Sequence, residues 1–353
     1  MTQMKRLKTA APGDSVNKKP TLKDVADLAD VSPMTASRVV AGADGVSPAM
    51  VRRVQAAVKT LGYSRNEAAR LMRPGQRSGL LGVIVTNIDN PYYAQVLLGV
   101  ESAARAAGRL IITGISHNDP ELEAQLVRDL LARQIEGLIV VPASTDAPHL
   151  SAAPAAGVPI VLASRSITQG GVDTVLVDDI DGARRVVAEK LRQGGYPMAF
   201  IGGPDSIATA ARRYEGFRLA HSDVGLAIRP EYVERLALEP EPVMAATHRL
   251  LDLEEPPRAV FTTNNRYTIH VLRVLLQERG RWATWEERPL LVGFDTFELA
   301  DLVAYPLTLI EHDAQALGRI ACEMALRRID RNDNTPPMRT TIPCVGVVVG
   351  LRE

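Results

Sequence analysis

Polar and ionisable side chains in this chain gather just past short aliphatic runs. The runs lie at 80–85 (LLGVIV), 109–115, 136–143, 158–164, 173–179, 198–203, 258–264 and 289–295. Asn90-Pro91-Tyr92-Tyr93 follows the first, Ser144 the third, Ser164-Arg165 the fourth, and Asp178 the fifth; Asn264-Asn265 and Asp295 close the last two. Amides, carboxylates, hydroxyls and a guanidinium converging on one place would hydrogen-bond a polar ligand. They do not spell out catalysis. The six histidines (117, 149, 221, 248, 270 and 312) are scattered, with no H-E-x-x-H, and G-x-S-x-G, G-x-G-x-x-G and G-x-x-x-x-G-K-[ST] are all missing. Gly202-Gly203-Pro204 is a tight turn whose proline makes a weak phosphate cradle. Cys322 and Cys344 lack metal-ligand spacing and are expected to be small core hydrophobes in a reducing compartment. No metal, no cofactor and no enzymatic role is implied.

A second set of reactive groups stands at the other end of the chain. Residues 1–78 carry 14 Lys+Arg against 6 Asp+Glu, a net of +8, so the neutral total leaves −8 on the remainder. A basic head on an acidic body points to nucleic-acid contact at one end only. The head must be built from helices. Thr21 with Asp24 begins a capping box, and Leu22, Val25, Ala26 and Ala29 share one helical face. Asp30-Val31 breaks the pattern, Ser32-Pro33 restarts it, and Ser47-Pro48 does so again, each with a capping hydroxyl and a proline at the first helical position. The third helix runs to Leu61 with Gly62 as its stop, and Met50, Val51, Val54, Val58 and Leu61 are its expected buried stripe. Two short helices on a tight turn followed by a longer one make a helix-turn-helix unit. A three-helix core with no DNA role would show the same apolar pattern; the local charge of the head tips the balance.

The segment TLKDVADLADVS…T-ASRVV…VSPAMVRRVQAAVKTLGYSRNEAARLM resembles the DNA-binding head of the lactose-repressor (LacI/GalR) family. That resemblance implies a candidate DNA-contacting set of Thr21, Leu22, Lys23, Ser32, Pro33, Met34, Thr35, Ser37, Arg38 and Tyr63, continued by Asn66, Ala69, Arg70 and Met72. Pro33, Met34 and Arg38 fall at base-reading positions; Arg38 suits a bidentate contact to guanine, and Met34 suits only apolar contact such as a thymine methyl. Thr21, Ser32, Thr35, Ser37 and Tyr63 would grip phosphates, although Ser32 serves equally well as a helix cap. Residues 64–78 are expected to be a hinge, with a short helix from Asn66 to Met72 that is too short to hold alone in water. By alignment Met72 is the minor-groove wedge, Ala69 allows close approach of two hinges, and Arg70 supplies phosphate charge.

From Gly79 onward, aliphatic runs alternating with amphipathic stretches predict an α/β body of two doubly wound, parallel-sheet subdomains: about 79–178 with 310–335, and 179–309 with 336–353. The body resembles the periplasmic-binding-protein-like sensor of the same family. Tyr92, Tyr93, Ser144, Ser164, Arg165, Asp178, Thr209, Arg213, Leu238, Asn264, Asp295 and His312 are then the candidate effector-binding residues. Asp178 and Asp295 have plainer readings as helix caps, and Arg213 as an ion-pair partner; Asp295, Arg213 and Asn264 are favoured because strand-end placement and family position agree. The implied ligand is a sugar, sugar acid, polyol or nucleoside.

The expected protein is therefore a repressor binding a pseudo-palindromic double-stranded operator as a homodimer, in a bacterial cytoplasm, without membrane contact. Residues 1–19 are expected to form a disordered basic tail and 20–63 the DNA-binding domain, and no leucine heptad follows TIPCVGVVVGLRE. A transport or chemotaxis binding protein would share the body, but a secretory leader is not evident and the basic head argues against it.

Overall fold

The Ser-Pro signals of the head become helix starts. The computed structural model describes residues 20–43, 45–64, 77–331 and 335–349, and the chain divides into two units between Arg77 and Ser78. The first unit holds α1 (Leu22–Leu28), α2 (Pro33–Val40) and α3 (Pro48–Leu61). Thr21 and Asp24 complete their capping box, and the Ser32 and Ser47 hydroxyls accept from Thr35 and Met50 N–H groups at the heads of α2 and α3. Gly62 closes α3 in the left-handed region (φ 59°), which frees the Tyr63 N–H to reach Val58 O at 3.0 Å. The core is small: Val25, Ala29, Val54 and Ala57 are buried, with Val31, Val39, Val40, Val58, Leu61 and Tyr63 packed around them. Met50, expected in the buried stripe, is instead 42% exposed. It sits on the first turn of α3, and the face that meets α1 comes one turn later at Val54 and Ala57. Asn66, Ala69, Arg70 and Met72 of the expected hinge, and the tail 1–19, lie outside the described residues.

In the second unit each aliphatic run forms a strand, buried in every case but the sheet-edge strand at 110–115, where Leu110 is 71% exposed. The elements follow in the order β1 (Leu80–Val85), α4 (Pro91–Ala106), β2 (Leu110–Ile115), α5 (Pro120–Ala132), β3 (Gly137–Val140), α6 (Ala152–Ala155), β4 (Ile160–Ala163) and β5 (Asp173–Val177). Then come α7 (Asp179–Arg192), β6 (Met198–Gly202), α8 (Ala208–Asp223), β7 (Val233–Arg235), α9 (Pro240–Leu251), β8 (Ala259–Thr262), α10 (Asn265–Gln277) and β9 (Leu290–Phe294). The last are β10 (Leu307–Glu311), α11 (Ala314–Arg331), β11 (Arg339–Ile342) and β12 (Val345–Val349). The first sheet has the order β11-β5-β4-β3-β1-β2, parallel throughout; the second is β12-β10-β9-β8-β6-β7, parallel except for β12, which runs antiparallel to β10. These are two doubly wound subdomains.

The chain crosses between subdomains three times: after β5, after β10 and between β11 and β12. The expected last return, at 336, is too early, because Arg339–Ile342 pairs with Thr174–Val177 as an edge strand of the first sheet. Helix α11 therefore belongs wholly to the first subdomain, where it crosses α4 at unusually close range. A Cβ on Gly99 would collide with Gln315 O, and one on Gly318 with Val96 O, so both glycines are required by close backbone approach. Gly216 of α8 plays the same part against Ile180 O of α7 in the second subdomain. Both cysteines are buried and unpaired, and burial pushes both thiols up to about 12, so they pack as apolar groups.

Candidate functional sites: a reading helix and a two-walled cleft

On the head, α2 presents its first turn outward. Pro33 and Arg38 are exposed, Met34 is 76% exposed, and Ala36 faces the core. The Ser32 hydroxyl is used as a cap, accepting from Thr35 N–H at 3.1 Å and sharing a 2.9 Å hydrogen bond with the Thr35 hydroxyl. Thr21 is similarly engaged with Asp24. Leu22 and Ser37 are half-buried and Lys23 is exposed. Sequence reasoning missed Arg53 of α3, whose Nη2 donates to Ala29 O and Asp30 O at 2.6 Å each and pairs with the Asp30 carboxylate at 2.9 Å. It fixes the α1–α2 turn, where Asp30 has a positive φ of 48°, and so aims α2. The signal was available: an arginine one turn into α3 and an aspartate in the tightest turn.

In the body, the carboxyl ends of the two sheets border a cavity of about 250 Å3. Asn90, Tyr92, Tyr93, Asn118, Ser164 and Arg165 line it from the first subdomain; Thr209, Arg213, Leu238, Thr263, Asn264, Tyr267 and Asp295 are among those lining it from the second. Nine of the twelve expected effector residues are thus brought together: Tyr92, Tyr93, Ser164, Arg165, Thr209, Arg213, Leu238, Asn264 and Asp295.

The three others stand elsewhere. The Ser144 hydroxyl accepts from Asp146 N–H in a local turn at 3.2 Å. Asp178 caps α7 through Asp181 N–H, the plainer of its two readings. His312 lies behind the wall, with its Nε2 2.9 Å from Asp295 Oδ1. Asn118, Thr263 and Tyr267 were not anticipated. Asn118 had a signal, as a polar residue past a strand with φ 59°, a region asparagine tolerates. Tyr267 faces the cavity from inside α10, with its hydroxyl donating to Leu236 O at 2.7 Å, and only the packing of that helix selects it.

Ser164 and Asp295 correspond across the cleft. Each is the residue immediately after a central strand, and each holds a positive φ (66° and 65°) while its N–H still donates to a neighbouring strand, Val175 O and Ile310 O. Left-handed backbone on non-glycine residues is a strain that persists where surrounding structure over-determines it.

The second wall is a closed ionic network. Arg213, buried in α8, donates its Nε to Asp179 at 2.8 Å and its Nη atoms to Asp295 at 3.2 and 3.4 Å and to Thr263 O at 2.5 Å. Its guanidinium also lies 3.6 Å over the Phe294 ring. Burial opposes ionisation of Asp295, but the Arg213 charge and the His312 hydrogen bond outweigh it and hold the carboxyl below its ordinary range. On the first wall, burial pushes the Tyr92 phenol far up, so it stays protonated and donates to the Ser164 hydroxyl at 2.9 Å. Contacts also span the walls: Asn265 Nδ2 donates to Asn90 Oδ1 at 2.9 Å, and Arg212, paired to Asp179, donates to Ser164 O at 3.0 Å.

Two family models match this chain. Residues 21–66 match the bacterial regulatory proteins of the lacI family, and residues 78–347 match the periplasmic binding proteins and sugar binding domain of LacI family. The chain belongs to the LacI family. As a LacI-family protein it is a helix-turn-helix DNA-binding transcription regulator with a ligand-binding body. It is 29% identical over 334 residues to the HTH-type transcriptional regulator CelR of Thermobifida fusca, covering 92% of this chain and 96% of the relative. It is 26% identical over 312 residues to catabolite control protein A of Priestia megaterium, covering 88% and 93%. Among solved structures, a CelR–cellobiose complex superposes with a TM-score of 0.67 at 28% identity, covering 93% of this chain and 98% of that one. The lac repressor dimer bound to operator and the anti-inducer ONPF superposes at 0.81 over 94% and 98%; at 24% identity it supports the fold alone. Among the described residues no helix is long and apolar enough to cross a membrane, and no cluster suits a metal ion.

Proposed function

We propose that this LacI-family chain is a repressor that binds a pseudo-palindromic operator as a homodimer and is switched by a small hydroxylated ligand in the body cleft. The observation that carries the effector half is the shared cavity wall. Ser164 and Arg165 come from one subdomain, Arg213 and Asp295 from the other, and three crossovers connect the two. A ligand touching both walls has different contacts in each closure state, which is what a population shift requires. Asp295, Asn264 and Thr209 would receive its hydroxyls, and Tyr92 and Leu238 would flank it. A cavity of about 250 Å3 suits one compact ligand.

For the DNA half, α2 enters the major groove with Met34 and Arg38 outermost. Ser32 and Thr21 set the helix starts, so their hydroxyls reach phosphate only as second partners. A fluorescence-anisotropy titration of the full chain against a randomised palindrome pool, repeated with sugars, polyols and nucleosides, tests both halves. Nanomolar selection of one palindrome that a ligand shifts is the expected result. Ligand binding without any DNA selection would move the chain to a binding-protein role. Arg38→Ala should lose about 1–3 kcal/mol of discrimination at one base pair per half-site. An equal loss on specific and random DNA would remove Arg38 as a base reader.

A further inference from the structure

The two arginines that line the cavity are treated differently by their surroundings. Arg213 meets two carboxylates, Asp179 and Asp295. Arg165, only 6% exposed, meets neutral oxygens: its Nη1 donates to Asn118 Oδ1 at 2.8 Å and Pro142 O at 3.0 Å, and its Nη2 donates to the Tyr93 hydroxyl at 3.1 Å. Its Nε–H is buried without a partner. Among the described residues, no carboxylate lies within ion-pair distance of it. The acidic group that shares its field is Glu123, which is already held by Ala143 N–H and His149 at 2.7 Å each. Arg165, Asn118 and Tyr93 all line the cavity, so this guanidinium belongs to the wall that a ligand would meet.

A buried guanidinium that no carboxylate contacts is costly, whereas an oxyanion beside it makes strong, charge-assisted and often bidentate hydrogen bonds. The rest of the cavity reinforces the polarity. The Arg213 charge is spent on Asp179 and Asp295, and Asp295, held ionised, repels an anion from the second wall. We propose that the effector is an acid, carrying a carboxylate or phosphate that sits against Arg165, Asn118 and Tyr93 while its hydroxyl-bearing end faces Asp295 and Asn264. The inference rests on the effector reading above and narrows it from polar ligands in general to anionic ones.

The test uses the full chain, with matched pairs differing in one charged group: D-gluconate against sorbitol, and glucose 6-phosphate against glucose, at constant ionic strength. Inorganic phosphate serves as the minimal probe. Affinity is measured by titration calorimetry and by the shift in melting temperature, because a ligand that binds only the folded state raises it. At least one acid should bind tighter than its neutral counterpart by about tenfold or more. The better member of the two acids identifies carboxylate or phosphate as the source. Arg165→Gln should abolish the preference and the phosphate effect, whereas Arg165→Lys should keep the preference at reduced affinity. Circular dichroism would show both variants folded, and if the glutamine variant fails to fold, the matched pairs on the unaltered protein still decide. Neutral members binding as tightly as the acids would overturn the anionic inference and leave the effector reading standing. Failure of every probe, with no change in operator binding, would overturn both.

Discussion

The two walls of the cleft are built from the same parts and finished differently. In each subdomain a central strand ends on a positive-φ polar residue, and a glycine allows two covering helices to touch: Gly99 and Gly318 in the first, Gly216 in the second. The second wall is electrostatically complete within the protein, with Arg213 between Asp179 and Asp295. The first keeps Arg165 among neutral acceptors. Fold repetition therefore sets where functional groups stand, while a few side-chain identities decide whether a wall satisfies itself or waits for a ligand.

The sharpest way to break this comparison is to remove each cation in turn. Arg213→Met leaves Asp179 to Arg212 alone and takes the arginine from the buried Asp295, which keeps only its His312 hydrogen bond, and should cost about 3–5 kcal/mol in urea unfolding. Arg165→Met removes a buried charge that no carboxylate contacts, which offsets much of the loss of its three hydrogen bonds, so it should cost less than Arg213→Met, about 1–2 kcal/mol. Equal losses would mean that the walls are not electrostatically different. The shared architecture predicts the opposite pattern for the glycines. Gly318→Ala and Gly216→Ala both drive a methyl into backbone and should each cost about 1–3 kcal/mol, with neither wall spared. A near-neutral Gly216→Ala would confine the close crossing to the first subdomain.

The smallest effect is on pH dependence. The Asp295 carboxyl is depressed in the folded state, so its stabilisation is present above the ordinary aspartate range near ~3.9 and is lost as pH falls through its lower folded value. Asp295→Asn should flatten the acid limb of a melting-temperature profile below pH ~4 and leave its slope near neutrality unchanged. An unchanged acid limb would mean that Arg213 and His312 do not hold that carboxylate ionised.

Much of this was legible in the residues. All eight aliphatic runs contain strands, because a strand covered on both faces must be apolar at nearly every position; the edge strand β2 is the exception, apolar yet partly exposed. Of the strands outside those runs, β7 (VER) and β11 (RTTI) are short edges whose polar residues dilute the apolar signal, whereas β10 (LTLIE) and β12 (VGVVV) are as aliphatic as the runs themselves. Nine of the expected effector residues converge because strand ends in a doubly wound sheet must open onto one edge. Ser144, Asp178 and His312 also follow strands, yet they turn into a local loop, a helix start and the rear of the wall. Position along a strand does not specify the direction of the side chain after it.

The sequence by itself determined the helix starts of the head, eight of the twelve described strands and the separation of a basic head from an acidic body, since capping, periodicity and charge are local properties. Only the tertiary structure decided which arginine would be neutralised. Asp179 and Asp295 are 34 and 82 residues from Arg213, and they meet it because the crossovers and the α7–α8 packing deliver them there. Arg165 stands one residue past Ser164 at the end of an equivalent strand, and its surroundings bring it an amide, a carbonyl and a phenol instead. Burial makes that difference matter, because an unbalanced charge that water would screen at the surface keeps its full demand for a partner inside a cleft.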